Sequence, residues 1–315
     1  MARRRTLAVA GPSKISGEFV LRIALRLTIL LVVIFLALAG VGAGLTYYVT
    51  TASNSQEAVN PQNFLLTSYI SLSFTDRSGG EHEGWLLLGL RGAPVIILCH
   101  GYDSNRSDLL SLGSILRDNH FNVYLFNFQG PKAKESRSNL GPRQASDLMA
   151  AIETVTKQPD VNPNRVGLFG TSVGGYAALV AAESNPKVKA LVVNSTYTTP
   201  ERMFDSQVDG LLGGSSGFFH VLTEAEFNLA SLGSDNYAMP ANLPKLAGMP
   251  KLFIYGRDNP SLAEMTEALY NQAPQPKRPL KMEHSESGMA SEAEKKEYDN
   301  QVLNFFLQNL SLRAD

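Results

Sequence analysis

The sequence predicts an α/β protein: a mostly parallel sheet of eight strands with helices on both faces, a small cap, and one transmembrane helix before it. Three observations predict this class. From about residue 68 onward, short apolar runs alternate with segments of helical periodicity, the order typical of a parallel sheet. One apolar run leads directly into a serine flanked by glycines. An uncharged stretch of 23 residues, 27–49, comes before all of this.

Composition excludes several classes of protein. Of the 315 residues, 44% are hydrophobic and 18% are charged, a balance that favours a large folded core over disorder. The formal net charge is −1, which gives no electrostatic basis for binding nucleic acid. Cys99 is the single cysteine, so an intrachain disulfide is excluded.

The N-terminal region has the pattern of a membrane anchor. Residues 1–26 carry six basic residues and one acid, and are expected to form a cytoplasmic segment. Residues 27–49 would span about 34 Å as a helix, enough for a hydrocarbon core of about 30 Å. Residues 50–67 are polar and predict a linker to a domain at 68–315 on the extracytoplasmic side. A cleaved signal peptide is the alternative, although residues 50–52 make a poor cleavage site.

Each element of the domain follows from its local pattern. Residues 69–76 alternate polar and apolar, and predict a half-buried strand that pairs with 83–90 across a Gly-Gly turn. Continuous apolar runs predict strands buried on both faces. The predicted strands after the hairpin are 94–99, 121–128, 165–170, 188–195, 250–256 and 278–284, and the predicted helices are 107–119, 141–158, 173–184, 261–272 and 291–310.

Ser172 stands at the junction of a strand and a helix. The letters "GTSVG", residues 170–174, fit the pattern G-x-S-x-G, which describes a sharp turn that exposes a serine hydroxyl above a sheet. Alone this pattern is weak, and a turn serine without chemistry is the plain alternative. An acid at the end of the 250–256 strand and His284 at the end of the last strand give the order Ser…Asp…His, each just past a strand end.

That order resembles the α/β-hydrolase superfamily over residues 69–311. "ILCHGYDSN" (97–105) looks like the oxyanion loop of the superfamily, "LFGTSVGGYAAL" (168–179) like its nucleophile elbow, and "KLFIYGRDN" (251–259) like its acid strand. The combination is similar to membrane-tethered serine esterases and to prolyl-oligopeptidase-like domains. The resemblance implies Ser172 as nucleophile, His284 as base, and the N–H groups of Tyr102 and Val173 as the oxyanion hole.

The acid of the implied triad has more than one candidate. The superfamily usually has glycine, two residues and then aspartate, which counts from Gly256 to Asn259. Asp258 lies one residue earlier and is the first choice, because it is the only carboxylate in the turn directly after the strand. Asn259 and Glu264 are the alternatives. Asp258 could instead cap the helix that starts near residue 261.

The expected function is hydrolysis of a small carboxylic ester through an acyl-serine intermediate. A prolyl-oligopeptidase-like peptidase is less favoured, because residues before 69 leave no room for the separate propeller that such peptidases often carry. A non-catalytic hydrolase-like protein that binds a ligand is the third interpretation, supported by the unusual acid position. The interruption at 197–247 predicts a cap. No metal-ligand spacing or phosphate-binding loop stands out, so no cofactor and no metal is expected.

Overall fold

The fold is described from a computed structural model of the full chain. The described residues are 17–51, 57, 59–64, 69–77, 79–128, 140–213, 217–231, 242–285, 291–310 and 312. Parts of four expected features lie outside them: the basic segment 1–16, most of the linker, residues 214–216 and 232–241 of the expected cap, and residues 286–290 after the last strand.

The elements follow the expected order with small changes of boundary. The strands are β1 (Tyr69–Thr75), β2 (Glu81–Leu87), β3 (Ala93–Cys99), β4 (Asn122–Phe126), β5 (Val161–Thr171), β6 (Val188–Asn194), β7 (Lys251–Gly256) and β8 (Lys277–Met282). The helices are α1 (Gly17–Thr50), α2 (Leu110–Asp118), α3 (Pro142–Val155), α4 (Val173–Ser184), α5 (Pro200–Leu212), α6 (Gly217–Ser231), α7 (Pro260–Gln272) and α8 (Glu292–Asn309).

The eight strands form one sheet in the order β1-β2-β4-β3-β5-β6-β7-β8. β1 pairs antiparallel with β2 and β2 antiparallel with β4, and the remaining pairs are parallel. The expected fold class is therefore confirmed. The central strands read as unbroken apolar runs because helices cover both of their faces, and every residue of β3 is buried.

Two boundaries matter for the site. β5 runs through Thr171, so the strand ends at the residue before Ser172. β8 ends at Met282, and His284 therefore lies two residues beyond the strand. The carboxyl ends of β3, β5, β6, β7 and β8 meet along one edge of the sheet, where ligands of open α/β sheets bind.

α1 is longer than the apolar run and is not separate from the domain. Among the described helices, it is the one that is long and apolar enough to span a membrane. Its N-terminal part is exposed throughout, as a lipid-facing segment would be. Its last three turns pack against α5 and α6, and Val49 belongs to the buried core.

Candidate active site

The turn at Ser172 is tight because two glycines allow backbones to touch. Ser172 has φ 50° and ψ −115°, a conformation that non-glycine residues rarely adopt and that costs free energy. A Cβ on Gly170 would meet the backbone of Gly174. A Cβ on Gly174 would lie 2.5 Å from the carbonyl oxygens of Cys99 and His100. The glycines thus let β5, α4 and the end of β3 close around the serine.

The Ser172 hydroxyl is buried and has no hydrogen-bond partner among the described residues. The residue is 4% exposed, and its Oγ is recorded without a partner. Its backbone is fixed on both sides, since its N–H donates to the Asn194 carbonyl and its carbonyl accepts from the Tyr176 N–H. A buried hydroxyl without a partner costs free energy, so the site maintains an unfavourable arrangement that a bound ligand would relieve.

Two backbone N–H groups lie beside this serine. Val173 is the first residue of α4, where an N–H group has no acceptor within the helix. Tyr102 follows Gly101, whose Cα is close enough to the elbow that an added Cβ would lie 3.6 Å from the Ser172 Cβ. The structure records no acceptor for the Tyr102 N–H among the described residues. Neither N–H group has a recorded acceptor among the described residues, so both can donate to a bound ligand.

His284 is held by a carboxylate, but not by the one expected. Its Nδ1 lies 3.1 Å from both carboxylate oxygens of Glu294, and its backbone N–H donates to Glu294 Oε1 at 3.0 Å. The imidazole side chain is 38% exposed. Among the described residues, no hydrogen bond connects His284 with Ser172 or with Asp258. The structure thus places a histidine–carboxylate pair near the edge of the site.

Asp258 binds Ser285, the neighbour of His284. Its two carboxylate oxygens accept from the Ser285 N–H at 3.0 Å and from the Ser285 hydroxyl at 3.2 Å. Asn259 caps α7 by accepting from the Leu262 N–H at 3.1 Å, so the capping role weighed for Asp258 falls to Asn259. Glu264 lies exposed on α7. The roles of these three residues in catalysis stay predictions.

A cavity of about 540 Å³ opens at Ser172, a size typical of small-molecule sites. Loop residues after β3, the start of α2, the cap helix α5 and the first turns of α8 enclose it. Its described lining includes Tyr102, Ser172, Asn194, Asn259 and Ser285. His284 and Asp258 are not in that lining.

The comparisons with known proteins agree on the fold. The chain is 29% identical over 251 residues to the YfhR protein of Escherichia coli O157:H7, covering 76% of this chain and 81% of that protein. The Pyrococcus furiosus esterase Pf2001 superposes with a TM-score of 0.65 at 16% identity, covering 84% of this chain and all of the esterase. This chain has the α/β-hydrolase fold. The fold that the sequence predicts is thereby confirmed.

Two further matches concern the branch of the superfamily. Residues 115–212, which include the Ser172 elbow, match the Prolyl oligopeptidase family. Dipeptidyl peptidase 4 of Porphyromonas gingivalis superposes with a TM-score of 0.55 at 16% identity, covering 81% of this chain and 38% of that peptidase. The chain therefore resembles both esterases and peptidases of this fold.

Two further described histidines, His100 and His220, have structural partners. His100 donates from Nδ1 to the Gly101 carbonyl and accepts at Nε2 from the Phe128 N–H. Burial lowers the pKa of His100 to about 4, which favours the neutral ring, and both ring nitrogens hold the loop after β3 in place. In the cap, His220 bonds Asp209 at 2.7 Å, which raises its pKa.

His82 lies in a buried polar cluster that the sequence analysis missed. Its Nδ1 donates to the Asn127 carbonyl, while Nε2 lies 3.0 Å from Asp76 and 3.9 Å from Asp147. These three side chains could hold a metal ion. The 3.0 Å separation from Asp76 is also that of an ordinary hydrogen bond. Burial raises the pKa of Asp147 to about 7, which reduces the number of buried negative charges. The hydrogen bonds of His82 with Asp76 and with the Asn127 carbonyl account for this cluster.

Sequence reasoning also missed three residues at the site. Asn194 donates to the Ser285 carbonyl, and Ser195 shares a hydrogen bond with the Ser285 hydroxyl. Glu294 lies in the sequence "SEAEKKEYD", whose alternating charges predict only a solvated helix face. No local signal identifies these residues, because their partners are distant in sequence.

Proposed function

We propose that this chain is a membrane-anchored serine hydrolase that cleaves carboxylic esters through an acyl-serine intermediate. One observation carries the proposal. Ser172 combines a strained backbone with a buried hydroxyl that has no partner among the described residues, next to two available N–H groups. Strain and unsatisfied polar groups persist where function requires them, and this combination is the arrangement of an activated acyl-transfer site.

In the proposed reaction, Ser172 Oγ attacks the acyl carbon while the Nε2 atom of His284 accepts its proton. The negative oxygen of the tetrahedral intermediate accepts hydrogen bonds from the N–H groups of Tyr102 and Val173. The proton then passes to the leaving alcohol, which departs and leaves the acyl group on Ser172. Water attacks the acyl carbon with His284 again as base, and this step releases the acid and restores the serine.

The sequence and the geometry favour different carboxylates as the partner of His284. In the described arrangement Glu294 faces Nδ1, the ring nitrogen that a triad acid normally binds. Asp258 is engaged by Ser285. We therefore propose Glu294 beside Asp258 as a candidate for the acid. Either choice requires the imidazole to approach Ser172, with which it has no described contact.

Ester cleavage is favoured over peptide cleavage by the extent of the structural matches. The P. furiosus esterase is matched over its whole length, whereas P. gingivalis dipeptidyl peptidase 4 is matched over 38% of its length. The match of residues 115–212 to the Prolyl oligopeptidase family keeps the peptidase as the second enzyme candidate.

A non-catalytic binding protein is the candidate from another class. It is supported by the absence of described contacts between His284 and Ser172, and by the position of His284 outside the described cavity lining. A polar cavity without a base would bind a ligand and leave it unchanged.

The anchor is favoured over a cleaved signal peptide because α1 is part of the folded domain. Val49 is fully buried in the core, and its carbonyl accepts from the Tyr102 hydroxyl at 2.9 Å. Cleavage after residue 52 would remove these contacts. The basic residues before the apolar run favour a cytoplasmic N-terminus. Protease added to spheroplasts should then digest a C-terminal tag, and protection of that tag until lysis would overturn the orientation.

The direct test of catalysis is labelling with a fluorophosphonate, a reagent that forms a covalent bond with an activated serine. The parent protein should be labelled and the Ser172→Ala variant should not. Labelling followed by turnover on ester and peptide panels separates the two enzyme candidates. Ligand binding by a folded parent protein that is never labelled would instead support the non-catalytic candidate.

A further inference from the structure

The cap packs directly on the second half of the candidate membrane helix. Gly42 and Thr46 of α1 are buried, and they face Leu222 and Glu226 of α6. A Cβ on Gly42 would lie 2.9 Å from Glu226 Oε2 and 3.1 Å from Leu222 Cδ2. Thr46 Oγ1 donates to Glu226 Oε2 at 3.5 Å, a long contact. The glycine therefore allows the two helices to approach closely.

The depth of this contact in a bilayer can be estimated from the length of α1. If the hydrocarbon region begins at Leu27, Gly42 lies about 22 Å into it and Thr46 about 28 Å, at about 1.5 Å per residue. The hydrocarbon core is about 30 Å thick. Tyr47 and Tyr48 follow at once and are 57% and 65% exposed, as residues of an interfacial aromatic belt would be. α6 therefore meets α1 at the outer boundary of the hydrocarbon.

The exposed surface of the cap is apolar at the depth where α6 meets α1. Val221 and Leu229 of α6 are 71% and 68% exposed, more than any other described large apolar side chain outside α1. They lie eight residues apart on one side of the helix, with Ala225 between them. Glu224 and Asn228 beside this row are exposed as well, which gives α6 the mixed edge of an interfacial helix. Leu211 and Leu212 add exposed apolar surface at the end of α5.

We propose that α6 and the end of α5 lie in the outer boundary of the bilayer and contact lipid acyl chains. The occupant of this apolar surface is thus the bilayer that α1 crosses, since α1 and α6 are packed together. α5 also lines the cavity through Met203 and Gln207, so the cap connects the bilayer surface with Ser172. The substrate class that fits is an acyl ester carried by a membrane lipid. This proposal rests on the membrane-anchored hydrolase proposed above.

The lipid contact can be measured without any activity, because the chain has one cysteine and it is inert. Cys99 is fully buried, and burial raises the pKa of its thiol. The full-length protein, placed in phosphatidylcholine nanodiscs, would carry Val221→Cys or Leu229→Cys labelled with an environment-sensitive fluorophore. Nitroxide groups on the lipid acyl chains would serve as quenchers. Leu90→Cys and Leu307→Cys, at exposed apolar positions of the body, are matched controls.

The labels at Val221 and Leu229 should lose most of their fluorescence, as should a label at Phe35→Cys within α1. The labels at Leu90 and Leu307 should keep theirs. Strong quenching at Phe35 with none at Val221 or Leu229 would overturn the lipid-facing cap while leaving the anchor intact. Absence of quenching at Phe35 as well would refute the anchor and this inference together. A parent protein that fluorophosphonate does not label would contradict the proposed hydrolase activity and leave the lipid contact untouched.

The substrate class has its own test. A variant with Val221→Lys and Leu229→Lys should hydrolyse vesicle-borne acyl esters about tenfold more slowly, because its cap no longer enters the lipid. Its turnover of a soluble short-chain ester should match the parent. Leu90→Lys with Leu307→Lys should change neither rate. An unchanged ratio of vesicle to soluble turnover in the cap variant would overturn the lipid-ester assignment.

Discussion

The nucleophile elbow and the acid–base edge of the site differ in how their geometry is determined. The elbow is built on a local motif, in which Gly170 lets the backbone of Gly174 approach within one strand–turn–helix unit, and Gly174 lets the end of β3 pack against that unit. The edge is assembled from β6, the turn after β7, the segment after β8 and α8, which bring together Asn194, Asp258, Ser285 and Glu294. A local motif therefore specifies the serine, while loop lengths across the sheet specify the base and the acid.

The largest expected effect separates two serines that line the same cavity. Ser172→Ala should lower ester turnover by about 10⁴ or more, because the acyl-accepting oxygen is removed. Ser285→Ala is the matched control, since the Ser285 hydroxyl bonds Asp258 and Ser195 within the edge. It should lower stability by about 0.5–1.5 kcal/mol per lost hydrogen bond and leave most turnover intact.

Turnover would be measured on a soluble ester, and stability by thermal melting of both variants. Equal losses of turnover in the two variants would contradict the division between elbow and edge. Undiminished turnover in a folded Ser172→Ala variant would remove Ser172 from the chemistry altogether.

The next effect identifies the carboxylate that serves His284. If Glu294 is the acid, Glu294→Gln should lower turnover by about 10²–10⁴, since a neutral amide stabilises the imidazolium less and allows the wrong tautomer. Asp258→Asn should then mainly weaken the contact with Ser285 and act on stability. Glu264→Gln, at an exposed position, should change neither.

The pH–rate profile of each variant should be measured, because substitution of a residue with a purely structural role would not change that profile. A loss confined to Asp258→Asn would favour the sequence-based choice and require the edge to rearrange in the active form. Undiminished turnover in both variants would remove Glu294 and Asp258 from the catalytic role proposed for them.

The sequence predicts the fold and the elbow well, for physical reasons. Apolar runs such as 94–99 identify buried strands, and the glycine spacing around Ser172 describes a turn that few other residues could form. The acid is harder to predict, because one residue more or less after Gly256 changes which side chain faces the histidine. The contact of α1 with α6 could not be predicted, since Gly42 and Thr46 look like ordinary members of a membrane span.

A smaller effect tests whether the elbow depends on close backbone contact. Gly174→Ala would bring a Cβ to 2.5 Å from two carbonyl oxygens, so it should destabilise the fold by about 1–3 kcal/mol and reduce turnover. Gly210→Ala in α5 is the control, since nothing lies within 4 Å of its added Cβ, and it should stabilise by about 0.5–1 kcal/mol. Chemical denaturation of both variants would measure this. A Gly174→Ala variant as stable as the parent would show that the turn can relax.

The smallest expected effect separates two roles of Tyr102, that of its backbone N–H and that of its hydroxyl. The Tyr102 backbone N–H is proposed to bind the oxyanion, whereas its hydroxyl donates to the Val49 carbonyl at 2.9 Å and so connects the oxyanion loop to α1. Tyr102→Phe keeps the N–H and removes the hydroxyl. It should therefore lower the free energy of unfolding by about 0.5–1.5 kcal/mol and change turnover of a soluble ester less than tenfold.

Melting and turnover of the full-length protein would be compared with those of a chain shortened to begin after Thr50. In the shortened chain the hydroxyl has lost its acceptor, so Tyr102→Phe should have almost no effect on stability there. A tenfold or greater loss of turnover in the full-length variant would mean that the end of α1 also positions the oxyanion loop, and the membrane helix would then contribute to the elbow's geometry.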